Sequence, residues 1–143
     1  MDNLFSEDWA VVATIDPDAY TAATYTSDVI DMTDWEQIAV VTLAGALGDG
    51  GSVVTTVKDS SASPHAAISG KTTTLGGTSP NTGSDSQTII HVRSAEGNSN
   101  ARYITVDMVV AGATSDCGLV VFGKGRHRPA SDNDLASVAE IVS

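Results

Sequence analysis

Short apolar runs recur along the chain, mostly alternating with polar residues and separated by Gly, Pro, Ser, Asn and Asp. Alternation with a period of two marks a strand that buries one face. Residues 9–15 (WAVVATI) predict a first strand, ended by Asp16-Pro17-Asp18. Residues 24–32 predict a second, with Tyr25, Val29 and Ile30 as its apolar members, and residues 33–36 turn the chain. Residues 37–46 (QIAVVTLAGA) are apolar on both alternating faces, which predicts a central strand buried on both sides. Gly48-Asp49-Gly50-Gly51 predicts a tight turn into a strand over 52–58. The pattern then weakens. Within residues 59–85, Ala66-Ala67-Ile68 and Thr72-Thr73-Thr74-Leu75 read as short edge strands, and 76–83 as a long surface loop.

The second half alternates more cleanly. Residues 86–93 place Ile90 and Val92 on one face and Ile89, His91 and Arg93 on the other. Residues 102–110 set Ile104, Val106, Met108 and Val110 against Tyr103, Thr105, Asp107 and Val109. Residues 111–116 turn into a last strand over 117–123. Beyond Pro129 the pattern changes. Asp132 or Asp134 is placed to cap a short helix carrying Leu135, Val138, Ala139 and Val142 on one stripe, with an extended arm as the alternative.

Composition supports strands. Val and Ile total 24 against 6 Leu, and Ser and Thr total 32. β-Branched side chains are stiff at χ1 and suit a pleated surface. About eight strands without regular helices predict an all-β chain. The expected fold is a single antiparallel β-sandwich of jelly-roll or Greek-key type over residues 9–123. Residues 1–8 form an N-terminal arm in this reading, and 124–143 a basic segment with a C-terminal arm or short helix.

Charge adds a polarity. The net charge is −11, and the ten acids up to Val57 are accompanied by no Lys or Arg. Lys124, Arg126, His127 and Arg128 crowd together near the other end. A strongly acidic chain is repelled by phosphate backbones, which argues against nucleic-acid partners. No 18-residue apolar window predicts a membrane span, and the first residues carry no basic-then-apolar pattern of a secretory signal. The single cysteine, Cys117, excludes an internal disulfide.

Candidate chemistry is sparse, and the expectation is a non-enzyme with no cofactor or metal. Ser69-Gly70-Lys71-Thr72 resembles the end of a phosphate-binding loop, but His65 stands where the pattern requires its first glycine. His65, His91 and His127 lack the spacing that puts two imidazoles on one metal. Asp16 with Asp18, and Asp28 with Asp31 and Asp34, offer oxygens without forming a calcium loop. Cys117 begins an apolar strand and reads as an inert buried thiol. Trp9, Tyr20 and Tyr25 are the aromatics a carbohydrate-binding or adhesin-type face would use, whereas Trp35 reads as a plug at the end of the sandwich.

Several strand segments carry a resemblance. Val29-Ile30-Asp31-Met32, followed by Trp35-Glu36-Gln37-Ile38-Ala39-Val40, is similar to a pattern of small tailed-phage virion proteins. Ile89-Ile90-His91-Val92, Arg102-Tyr103-Ile104-Thr105-Val106, the segment 118–123 and Arg126-His127-Arg128-Pro129-Ala130 continue it, so that it spans residues 27–141. The loop 59–85 departs from it, and no contact there is carried over. The resemblance implies a head decoration, or cement, protein encoded beside the major capsid protein. Its partners would be that capsid protein and copies of itself, a trimer first and a dimer second. Its place would be the outer capsid surface, after a period in the host cytoplasm, with the acidic bulk turned away from the genome. The residues expected to dock are Lys124, Arg126, His127, Arg128, Leu135, Val138 and Ile141, together with Leu4 and Phe5. A tail or neck virion protein is the alternative within the same class.

Overall fold

A computed structural model describes residues 4–60, 65–96, 102–126 and 138–140. Among these described residues, one helical turn, α1 (Phe5–Asp8), precedes nine strands: β1 (Trp9–Tyr20), β2 (Ala23–Thr26), β3 (Ile30–Asp31), β4 (Trp35–Leu47), β5 (Ser52–Asp59), β6 (Ala66–Gly76), β7 (Ser86–Arg93), β8 (Tyr103–Ala111) and β9 (Ser115–Gly125). They form two antiparallel sheets, ordered β1-β9-β4-β7 and β2-β8-β5-β6, with β3 also pairing β8. The pairs β1·β9, β2·β8, β4·β7 and β5·β6 nest inside one another, as when a long hairpin is rolled up. This is the jelly-roll arrangement that the composition predicts.

Alternation builds the core. Ile38, Val40 and Thr42 of β4, Ile90 and Val92 of β7, and Leu119 and Val121 of β9 point inward from one sheet. Val53, Thr55 and Val57 of β5 meet them from the other, with Ile104, Val106, Met108 and Val110 of β8. The open edges are tied across the sheets. Tyr20 of β1 packs on Tyr25 of β2 with ring centroids 4.3 Å apart. On the opposite edge the hydroxyls of Thr73 (β6) and Thr88 (β7) lie 3.0 Å apart.

Four sequence expectations change. The first strand does not stop at Asp16-Pro17-Asp18 but runs on to Tyr20, with its register shifted between Ile15 and Asp18. β1 is an edge strand, where a bulge accommodates a proline that cannot donate to the ladder. The second strand divides into β2 and β3, because Ser27 takes over there: its N–H donates to the Val106 carbonyl (2.9 Å) and its hydroxyl accepts the Val106 N–H (3.0 Å). The strand over 37–46 extends to Trp35 and Leu47, and it is buried on one face rather than two, since Leu43 is 52 % exposed. An antiparallel sandwich leaves the outer side of each sheet to solvent. The two short edge strands within 59–85 are one strand of 11 residues, β6, whose pairing with β5 shifts between Thr56 and Lys58.

The turns at one end pack tightly. The loops β4–β5, β6–β7 and β8–β9 meet there, and the Asn81 side-chain amide donates to the carbonyls of Gly48 (3.0 Å) and Gly51 (2.7 Å). Gly112, at φ +79°, lies so close to the Gly50 carbonyl that a Cβ would meet it at 2.3 Å. A side chain is excluded there on both counts. Trp35 is buried at the opposite end, over Gly123, as the expected plug.

Candidate interaction surface

The outer face of the β1-β9-β4-β7 sheet leaves large apolar side chains in water. Alternate residues of each strand must point outward, and here many of them are hydrophobic. Val41 stands opposite Val120 and Ile89, and Val120 opposite Thr14. Leu43 and Ile89 are 52 % and 57 % exposed. One row further along, Phe122 is opposite Val11 and Ala39; beyond it, Lys124 is opposite Trp9 and Gln37. In the other direction Leu43 is opposite Gly118, and Gly45 lies beside Asp116. An open hollow of about 480 Å³ lies there, lined by Pro17, Asp18, Leu43, Gly45, Asp116 and Gly118, with Pro17 packed onto Gly118 so that a Cβ there would meet its Cα at 2.8 Å.

An aromatic group rises at one corner of this face. Phe5 of α1 stacks on Trp9, with ring planes 2° apart and centroids at 6.1 Å, and meets Phe122 edge-on at 5.4 Å. The Glu7 carboxylate holds α1 in place by accepting the Leu4 N–H at 3.2 Å.

The expected docking residues divide. Leu4 and Phe5 (49 % and 58 % exposed) lie at the same corner as Lys124, because Trp9 pairs with Lys124. The Lys124 ammonium is 3.1 Å from Glu36, and the Arg126 N–H donates to the Asp34 carbonyl at 3.2 Å. Val138 is half-buried and outside any regular element. His127, Arg128, Leu135 and Ile141 lie outside the described residues. Sequence reasoning missed Val41, Leu43, Val120 and Ile89. The available signal was that residues 37–46 carry more apolar positions than one buried face needs.

Folding also redistributes the charge. Every described Lys and Arg lies in the half away from the β4–β5, β6–β7 and β8–β9 loops, whereas Asp16, Asp18, Asp49, Asp85 and Asp116 gather near those loops. Two acids early in the chain, Asp31 and Glu36, meet bases late in it, Arg102 and Lys124. Arg102 forks onto both oxygens of Asp31 (2.6–3.0 Å), stacks over Tyr103, and holds the Asp31 carboxyl well below the usual carboxylate range. Lys58 reaches the buried Asp107 at 2.5 Å, which also accepts from Thr26 at 2.8 Å.

The remaining chemical candidates are tied up in the fold. Ser69-Gly70-Lys71-Thr72 is strand, and Lys71 donates to the His91 carbonyl (2.6 Å) and pairs with Glu96 (2.9 Å). Asp16 accepts from Thr14 at 3.3 Å and Asp18 from the Ala19 N–H at 2.7 Å. Among the described residues, no three His, Cys, Asp or Glu side chains converge to hold a metal ion. Cys117 is buried, and burial followed by the nearby Asp116 charge pushes its thiol up to about 11. Trp9 and Tyr20 occupy opposite ends of β1, roughly 30 Å or more apart along the strand, so they do not share one stacking platform. The Tyr20 and Tyr25 hydroxyls donate to the Asp16 and Thr21 carbonyls at 2.6 and 3.1 Å.

No protein-family model and no curated protein matches the sequence. Among solved structures the fold is similar to a chain of the cowpea mosaic virus top component, a naturally occurring empty particle. The TM-score is 0.51 at 9 % identity, and the match covers 93 % of this chain and 89 % of that one. At that identity the likeness is one of fold. The shared fold accounts for nearly the whole of both chains.

Proposed function

We propose that this chain is a structural virion protein, and specifically a decoration protein that binds and stabilises the head of a tailed phage. The observation that carries this is the fold shared almost end to end with a chain of an empty virus particle. A fold hosts many functions, so the finer reading rests on this chain's own segments. The segments that resemble phage virion proteins are joined in the fold. Ile30 pairs with Ile104 and Asp31 with Tyr103, and the Asp31–Arg102 fork links the first segment to the later one. The exposed apolar face, with Leu4, Phe5, Lys124 and Arg126 at one corner, supplies a docking surface for the major capsid protein or for sister copies. The acidic loop end suits an outward position, away from packaged nucleic acid.

Two measurements test this. Purified particles of the virus encoding the chain should contain it in fixed proportion to the major capsid protein, by quantitative mass spectrometry. A handful of copies per particle would place it in the tail or neck instead. A chain truncated before Arg126 should keep its β-sheet circular dichroism but co-sediment more weakly with undecorated heads; undiminished binding would remove the C-terminal segment from the docking surface.

A further inference from the structure

The outward residues of β9 read, in order, Asp116, Gly118, Val120, Phe122 and Lys124. This row is complementary to itself about Val120: an acid two positions beyond a hollow on one side, a base two positions beyond a bulky aromatic on the other. The neighbouring strands repeat the scheme. The hollow beside Gly118 runs from Pro17 of β1 to Leu43 and Gly45 of β4, and the projection at Phe122 is raised by Phe5 and Trp9. Between them lies the apolar row of Val41, Val120 and Ile89, level with one another across three strands.

We infer that this face binds a second copy of the same chain, through a two-fold axis lying across the strands over Val41 and Val120. Such a rotation reverses strand direction while keeping each strand over its own counterpart. Val120, Val41 and Ile89 then face their own copies. Phe122 of each protomer comes to the hollow beside Gly118 of the other, Trp9 to the Ala19 end of the other's β1, and Lys124 to Asp116. An isologous interface requires this kind of self-complementarity. Two sheets packed face to face interdigitate their side chains in this manner. A second copy suits the face because the acid and the hollow on one side of the axis, Asp116 and the space beside Gly118, are matched by the base and the aromatic on the other, Lys124 and Phe122. Lys124 is available for the exchange, since its contact with Glu36 joins two exposed groups and such pairs are worth little.

The size of the face sets the strength. Four strands by eight residue steps give a footprint of about 19 Å by 27 Å, roughly 500 Å². Standard interfaces bury about 800 Å² per partner, so the dimer is a weak, reversible one. The inference rests on the docking role proposed above for this face and assigns it to a sister copy; loss of the dimer would leave the virion reading to the particle stoichiometry.

The test is sedimentation velocity of the full chain from about 1 µM to about 1 mM, a range that brackets weak association. A concentration-dependent dimer is expected. Leu43→Asp and Ile89→Asp, both at exposed positions, should each weaken it at least about tenfold while leaving the circular dichroism spectrum unchanged. Asp116→Lys and Lys124→Asp should each dissociate it alone, because each sets like charges opposite at both ends. An equimolar mixture of those two variants should dimerise again, because unlike charges then meet at both ends. A wild-type chain that stays monomeric or forms a trimer would overturn the inference. So would a dimer indifferent to Leu43→Asp and Ile89→Asp, or a mixture no tighter than its components.

Discussion

Thr42 of β4 and Thr55 of β5 face each other across the interior of the sandwich, with their hydroxyl oxygens 2.7 Å apart. Each is 1 % exposed. The pair bridges the two sheets in a core otherwise built mostly from apolar side chains. A buried hydroxyl is cheap when partnered and costly when not. Thr42→Val alone should therefore destabilise the fold by about 1–3 kcal/mol, because it strands the Thr55 hydroxyl. The double variant Thr42→Val with Thr55→Val should recover most of that loss. Urea unfolding of the four chains of this cycle measures the coupling directly, and a double variant as unstable as the sum of the singles would contradict it.

Trp35 lies against Gly123 so closely that a Cβ there would sit 2.6 and 2.7 Å from ring carbons. The ring is buried and cannot step aside. Gly123→Ala should cost about 1–3 kcal/mol, read as a lowered melting temperature. Gly50, where a Cβ would meet nothing within 4 Å, is a poor control because its φ is +70°. A Leu43→Ala variant at the exposed outer face is the better comparison and should melt close to wild type.

Cys117 should be inert while the chain is folded. Thiolate is the reacting form, and a thiol pushed up to about 11 holds about a hundredfold less of it at pH 8 than an ordinary cysteine. Alkylation by iodoacetamide, followed by mass spectrometry, should be slow in buffer and fast in denaturant. Rapid labelling of the native chain would mean that the β9 end opens readily.

Asp31 carries a pH signature. Its folded-state pKa is lowered, first by the hydrogen bonds from Arg102 and then by those from Thr33. A lowered carboxylate contributes stability above its unfolded value, near 4, and loses it as pH falls toward the folded value. Wild type should therefore exceed Asp31→Asn in urea midpoint at pH 7 and at pH 5, with the gap closing below pH 4. A gap that widened in acid would contradict the assignment. Glu96, lowered by the Arg93 N–H and by Lys71, adds to the same acid limb.

What the sequence by itself determined is local. The period-two pattern over residues 86–93 and 102–110 names the buried residues Ile90, Val92, Ile104, Val106, Met108 and Val110, because side-chain direction in a strand follows from backbone geometry alone. The β-branched excess and the scattered turn residues carry the fold class for the same reason. Tertiary structure decided what depends on distant neighbours. Whether the second face of β4 is covered depends on which sheet lies where, so Leu43 reads as core in sequence and stands in solvent in the fold. The break at Ser27 depends on Val106, 79 positions away, and the fit of Trp35 on Gly123 likewise joins remote segments. The charge pattern changed most. A linear reading gives an acidic beginning and a basic end; pairing β1 and β4 with β9 brings those ends together and leaves the unmixed acid at the loop end. The self-complementary row on β9 was present in the letters, but it acquires meaning only once the opposite face of that strand is buried.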